Sequence, residues 1–325
     1  YGSIQGTPQL KSAIEQLYQS VSPEIVVTNG AIGANYLVAY GVVEKDDHVV
    51  VVDPHYQLLS SVPKMFGANV DLFPLRFEDK YQPNLKLLDE MVTPKTKLLV
   101  INNPNNPTGA VWGNDVLEKI IEICKKNDVI IQSDEVYRPL FHIENSEKPK
   151  LILEFGYKKA ISTLSMSKAF ALAGLRLGWV ATLDEDLFKI FCSRRDYNTI
   201  SVSKIDDLLA TFALNHRDAI LKRNHDLCAK NLQILEKFIA DSDGLFEWVR
   251  PKGGSTCFIK VDVDDVEKLC QDMATKFKVL IVPGTVFGYE GFIRVGFGNS
   301  TEELESGLPI LLKYTKSLNR RTEAK

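Results

Sequence analysis

An α/β fold, with a large, mostly parallel sheet flanked by helices and a smaller C-terminal α+β unit, is what the 325-residue sequence predicts. Three observations carry that expectation. Short β-branched runs alternate with helical patterns at the spacing of strand–helix–strand units. Polar, chemistry-bearing residues fall where those runs end, which is where open α/β sheets hold their ligands. After Gly244 the pattern changes to short strands around one helix.

Taken in order, the strands are expected at residues 49–53, 70–73, 97–102, 129–133, 160–164 and 177–182, with helices between many of them, such as 114–126. A long helical tract from about 203 to 240 carries Leu208, Leu209, Phe212 and Leu214 on recurring faces and reads as a connecting spine. Beyond it come strands at 246–250 and 256–261, a helix near 266–277, strands at 279–282 and 292–295, and a terminal helix. The change of pattern sets a boundary near residue 240. Residues 1–240 form the large domain, their first 20 residues an N-terminal segment, and 241–325 the small one.

Composition narrows the class. At 45% hydrophobic and 25% charged, with net charge −3 and pI about 6.0, the chain is long enough for one large core and a smaller second one. No Lys/Arg-rich patch with interleaved aromatics is present, so nucleic acid is not an expected partner. No apolar run approaches the roughly 20 residues that span a bilayer and no signal peptide opens the chain, so a cytoplasmic protein is expected without a membrane partner. The chain begins with Tyr1 rather than Met, which predicts a truncated or processed start. The five cysteines are scattered without a CxxC pair and read as buried thiols; the five histidines show no metal spacing, and no metal is expected.

The chemistry concentrates in SMSKAFALAGLRLGW, residues 165–179. Lys168 follows the strand at 160–164, so its ammonium is expected to leave water, and burial lowers a lysine pKa and frees the amine as a nucleophile. Such an amine condenses with an aldehyde to form a Schiff base, and pyridoxal phosphate is the common cofactor that needs one. Arg176, two helical turns further on, can fork onto phosphate oxygens, and Ser165 and Ser167 offer hydroxyls. The alternative is a solvated surface lysine in a Gly/Ala/Ser turn.

Other segments add groups, three of them directly after expected strands. In TNGAIGAN, residues 28–35, the amides of Gly30, Ala31 and Ile32 can face an anion at a helix N-terminus; the spacing is not GxGxxG, which argues against a dinucleotide fold. Asp134 can keep a pyridine nitrogen protonated, with Tyr137 close enough for a ring hydroxyl; a helix-capping Asp with a packing Tyr is the other reading. In NNPNNPTG, residues 102–109, Pro104 and Pro107 fix the backbone and Asn106 can present its amide to the ring oxygen and a substrate carboxylate together. Tyr56 can stack on a flat cofactor. Arg294 lies in an apolar strand where an unpaired guanidinium is costly, so a carboxylate partner is required, internal or from the substrate.

Together these motifs resemble the fold-type I pyridoxal-phosphate enzymes, and within them the class I/II aminotransferases, over essentially the whole chain. The resemblance implies Lys168 as Schiff-base lysine, Asp134 on the pyridine nitrogen, Tyr137 and Asn106 at the ring oxygen and Tyr56 stacked on the ring. It implies Ser165, Ser167, Arg176 and the amides of Gly30, Ala31 and Ile32 around the phosphate, and Arg294 on the substrate α-carboxylate. YGSIQG, residues 1–6, looks like the segment whose tyrosine, here Tyr1, reaches the partner subunit's phosphate, implying a homodimer with shared active sites. In the family an N-terminal arm precedes that segment; here almost nothing precedes Tyr1. SKAFALAGLRLG and NPNNPTG look like histidinol-phosphate aminotransferases, whereas DEVYRPLFH and TGAVW are closer to branches that include carbon–sulfur lyases and cyclising enzymes. The implied activity is transfer of an amino group from an L-amino acid to a 2-oxo acid by a ping-pong mechanism, with Lys168 as general base. The alternative is a β-lyase or cyclising enzyme of the same fold.

Overall fold

A computed structural model of the protein describes residues 1–143 and 147–323. Its strands are β1 (Glu24–Thr28), β2 (His48–Asp53), β3 (Asn69–Pro74), β4 (Thr96–Asn102), β5 (Ile130–Asp134), β6 (Ala160–Ser165), β7 (Gly178–Thr182), β8 (Phe246–Trp248), β9 (Thr256–Val261), β10 (Val282–Pro283) and β11 (Phe292–Gly296). The helices are α1 (Pro8–Glu15), α2 (Gly30–Val42), α3 (Leu58–Met65), α4 (Leu85–Met91), α5 (Asn114–Asn127), α6 (Glu185–Arg195), α7 (Lys204–Asn215), α8 (Arg217–Ala240), α9 (Val266–Phe277) and α10 (Thr301–Glu323).

The first seven strands form one sheet in the order β1-β7-β6-β5-β4-β2-β3. The pairs from β3 through β6 are parallel, and β7 joins β6 and β1 antiparallel. The central strands β2 and β4 carry unbroken runs of four apolar residues because both their faces are covered. In β2, Val50 and Val52 enter the core shared with Leu99, Ile101 and Trp179, while Val49 and Val51 enter the other, against Leu37 and Val38 of α2 and Phe191 of α6. Fully burying each such valine contributes about 1.5 kcal/mol or more. The second sheet is antiparallel, β10-β11-β9-β8, and its apolar residues Phe258, Ile259 and Ile293 are buried in one core with Leu269 and Met273 of α9 and Leu308 and Leu311 of α10. The α/β class with a mostly parallel sheet and a smaller antiparallel one is as the sequence predicts.

Three elements differ. The strand expected at 279–282 shrinks to Val282–Pro283, and Leu280 stands 85% exposed, because a short apolar run specifies burial without saying whether a partner strand is in reach. The short edge strand β1 has no expectation of its own. The tract from 203 to 240 is two helices broken at His216, and Leu208, Leu209 and Phe212 face outward from α7 while Leu214 is buried. Apolar periodicity finds the face of a helix, not what covers it.

Candidate active site

The carboxyl ends of β4, β5 and β6 converge with the first turn of α2 and the strand β11 on a cavity of about 330 Å3. Ala31, Ile32, Tyr56, Asn106, Asp134, Tyr137, Ser165, Ser167, Lys168, Arg176 and Arg294 line it, together with Asn35 and Asn102. A second cavity of about 480 Å3 adjoins it across Ser167, Lys168 and Arg294 and runs between α8 and the small sheet.

At one end of the cavity α2 begins without a side-chain cap, since Asn29 makes no cap bond, so its first-turn amides are left for a ligand. Backbone alone fits there. Gly30 has φ +73°, and a Cβ on it meets Arg176 Nη2 at 2.9 Å; a Cβ on Gly178 of β7 falls 2.5 Å from the Gly30 carbonyl carbon and 2.8 Å from the Ala31 nitrogen. Arg176 is exposed, takes a left-handed φ of 48°, and donates from Nη1 to the Ala173 carbonyl at 2.9 Å. The segment from Met166 to Leu177 is a loop with a single 3-10 turn at Ala173–Leu175, not the two helical turns expected between Lys168 and Arg176. Ser165 ends β6, and its Oγ accepts from the Ser167 amide at 3.2 Å.

At the other end lies Asp134, the buried last residue of β5. Its Oδ1 accepts from the Val136 amide at 3.1 Å and its Oδ2 from Asn35 Nδ2 at 2.8 Å. Burial pushes its pKa up to about 6, against the pull of those two donors and of Lys168. The capping alternative is ruled out locally, because a turn and not a helix follows Asp134. Behind that turn buried Glu135 accepts from the Ile152 amide, Ser162 and Arg138, which anchors the backbone between Asp134 and Tyr137. The Tyr137 phenol is buried too, its pKa pushed up to about 12 by desolvation.

Lys168 keeps surface open to the cleft, so its amine does not leave water as completely as the sequence implies. Crowding by protein lowers its pKa first; Arg294 and Arg176 lower it further, and Asp134 opposes them. Arg294, on the half-exposed face of β11, donates from Nη1 to Asn106 Oδ1 at 3.2 Å and lies 5.3 Å over the Phe287 ring. Among the described residues no carboxylate forms an ion pair with it, and its hydrogen-bond partner is the Asn106 side-chain oxygen. The amide-rich loop after β4 largely satisfies itself. Asn102 holds the Asp134 carbonyl and the Asn106 amide, Asn103 the Trp112 backbone, and Asn105 the Pro54 carbonyl and Thr108, so Asn106 alone of the four meets Arg294 across the cavity. Tyr56 is half-open to the cavity on a loop fixed by Asp53, which accepts from Tyr289 at 2.8 Å and pairs with His55. Tyr1 is 98% exposed and is not one of the residues that line this cavity.

The residues fit a phosphorylated aldehyde with a basic ring nitrogen: uncapped amides and an arginine where only backbone fits, a buried carboxylate at the opposite end, and an amine between them. Sequence reasoning passed over Asn35, Asn102 and Tyr289. Asn35 did leave a signal, as the polar residue inside the otherwise apolar start of α2; Tyr289 left none, since its contact with Asp53 spans 236 positions.

A family model described as aminotransferase class I and II matches residues 1–310. Capreomycidine synthase of Streptomyces vinaceus is 31% identical over 314 residues, covering 94% of this chain and 78% of that protein. An aspartate aminotransferase of Thermotoga maritima is 27% identical over 329 residues, covering 98% and 84%. Among solved structures, a PLP-dependent aminotransferase from Streptococcus suis superposes with a TM-score of 0.93 at 40% identity, covering 98% of this chain and 84% of that one.

Proposed function

The chain belongs to the aminotransferase class I and II family, whose cofactor is pyridoxal 5′-phosphate, and from that premise we propose that it moves an amino group from an L-amino acid to a 2-oxo acid in two half-reactions at the cavity around Lys168. The observation that carries this reading is the convergence on one cavity of a lysine of lowered pKa, a buried carboxylate and an arginine that among the described residues pairs with no carboxylate.

When bound, pyridoxal phosphate supplies an aldehyde for the amine and a protonated ring that draws electrons from a bond at the substrate α-carbon. The chain's residues then have separate tasks. The first-turn amides of α2 with Ser165, Ser167 and Arg176 hold the phosphate, and Asp134 holds the ring proton. Tyr137 and Asn106 donate toward the ring oxygen, and Tyr56 stacks. Arg294 forks onto the substrate carboxylate and so fixes which α-bond is aligned for cleavage. Lys168 Nζ, once free, would take the α-proton and deliver it two atoms away, across the substrate nitrogen, to the carbon that the cofactor's aldehyde supplies. The donor leaves as a 2-oxo acid before the acceptor enters, so ping-pong kinetics are expected. In this reading residues 1–240 are the cofactor-binding domain and 241–325 the domain that brings Arg294.

The proposal extends to a homodimer with shared sites. Ile205, Leu208, Leu209 and Phe212 form an exposed apolar stripe on α7, to which Tyr197 and Ile200 add, a grouping that marks interaction surfaces. Thr7 ties the N-terminal segment to α7 through Asp207, which leaves exposed Tyr1 near that stripe and available to a partner.

Borohydride treatment of the holoprotein should fix a pyridoxyl group on Lys168, and Lys168→Ala should lose both the label and turnover by at least 1,000-fold. Exchange at the wild-type rate in Lys168→Ala would refute the assignment. The 31% identity to capreomycidine synthase favours one second reading, a cyclising reaction; a product analysis that finds a ring and no 2-oxo acid would select it.

A further inference from the structure

We infer that Asn35 is a positioning residue, which fixes the Asp134 carboxylate as an acceptor aimed at the ring nitrogen, so that one helix governs both ends of the cofactor. The inference rests on the proposal that Asp134 faces that nitrogen. Asn35 is 3% exposed, in the second turn of α2, five residues and so about 7.5 Å along the axis from Gly30. The parallel register pairs Asp134 with Thr163, and Gln132 lies two residues before Asp134, so the three side chains share one face of the sheet beneath α2. Into that group Asn35 projects its amide. Its Oδ1 accepts from Gln132 Nε2 at 2.8 Å and from Thr163 Oγ1 at 2.7 Å, two donors that settle which way the amide is turned, and its Nδ2 donates to Asp134 Oδ2 at 2.8 Å.

Asp134 therefore receives a donor on each oxygen, from Asn35 and from the Val136 amide, and donors favour the charged carboxylate. The titratable groups acting on it are Lys168 from the loop after β6 and Tyr137 from the turn after β5; α2 and β4 present only the neutral Asn35 and Asn102. Asn35 is then the side chain that offsets the burial of that carboxylate without bringing a charge of its own. An amide that merely fills the core would support the fold and leave the ring alone.

The test compares Asn35→Leu, the isosteric Asn35→Asp and Thr163→Val as holoproteins, reading pyridoxal phosphate affinity, the pH midpoint of the visible absorption change, melting temperature, and KM against kcat. A weaker Asp134 charge holds the ring proton less firmly, and the Lys168 linkage then keeps its own proton to higher pH. Both Asn35 variants should bind the cofactor about tenfold more weakly and shift the midpoint up by about one unit, with kcat reduced and the amino-acid KM within twofold. Thr163→Val, which removes one donor that orients the amide, should shift it the same way by less, and it decides the matter if the Asn35 variants do not fold. Wild-type affinity and midpoint, whatever the melting temperature, would overturn the inference. Asp134→Ala runs in parallel. If it shifts both readings while the Asn35 series shifts neither, the coupling fails and the site assignment stands; if it shifts neither, the assignment of Asp134 fails and takes the coupling with it.

Discussion

Gly178→Ala is the sharpest perturbation the backbone offers. Gly178 lies in β7 between two paired neighbours, Thr28 of β1 and Ser165 of β6, so its strand has no room to slide. The added methyl falls 2.5 Å from the Gly30 carbonyl carbon, 2.7 Å from the Leu164 carbonyl oxygen and 2.8 Å from the Ala31 nitrogen, all of them backbone atoms. Restoring an ordinary 3.4 Å contact to Gly30 needs about 0.9 Å of displacement, and the part free to move is the start of α2. Overpacking of this kind costs about 3 kcal/mol, the upper end of its usual range because no flexible side chain can yield. At roughly 2 °C per kcal/mol for a chain of this size, the apoprotein should melt about 6 °C lower. The same shift pulls the first-turn amides off the phosphate; losing one charge-assisted hydrogen bond, about 1.5–3 kcal/mol, weakens cofactor binding roughly 10- to 100-fold. Differential scanning calorimetry of the apoprotein and fluorescence titration with pyridoxal phosphate read the two effects. Gly174→Ala, where nothing lies within 4 Å of the new Cβ, is the control and should change neither. Wild-type melting and affinity in Gly178→Ala would refute the argument that α2 is seated on β7 through this glycine.

Other expectations follow from the same geometry. Arg294→Ala should raise the amino-acid KM about 100-fold through loss of two charge-assisted hydrogen bonds while leaving pyridoxal phosphate affinity within about threefold; a KM within threefold would remove Arg294 from the carboxylate site. Asp134 ionises near 3.8 when unfolded and about 6 when folded, so the unfolded chain loses its proton first and stability falls as pH rises across that window. The unfolding free energy of the wild-type apoprotein relative to Asp134→Asn should accordingly drop by about 2 kcal/mol between pH 4 and pH 7, and a flat difference would show that burial does not set this carboxyl's pKa. Phe212→Asp, on the exposed stripe of α7, should weaken self-association at least tenfold by sedimentation without lowering the monomer's melting temperature; unchanged assembly would place any dimer contact elsewhere.

The sequence by itself determined what is local and periodic. The four consecutive valines of β2, the apolar residues of β4 and the amphipathic α5 are readable because their burial repeats along the chain; Lys168, Asp134 and Asn106 are readable because each stands where such a run ends, and Arg294 because it is a charge inside one. Tertiary structure decided whatever depends on a partner distant in sequence. It turned the outer face of α7 to solvent, reduced residues 279–282 to two strand residues, left Lys168 open to the cleft, joined Tyr289 to Asp53, and set Asn35 on Asp134, 99 positions away. The physical reason is one of range. Backbone geometry and hydrophobic burial repeat every two to four residues and so are written in order along the chain, whereas a buried hydrogen bond needs only that two groups arrive at the same place, which chain order does not encode.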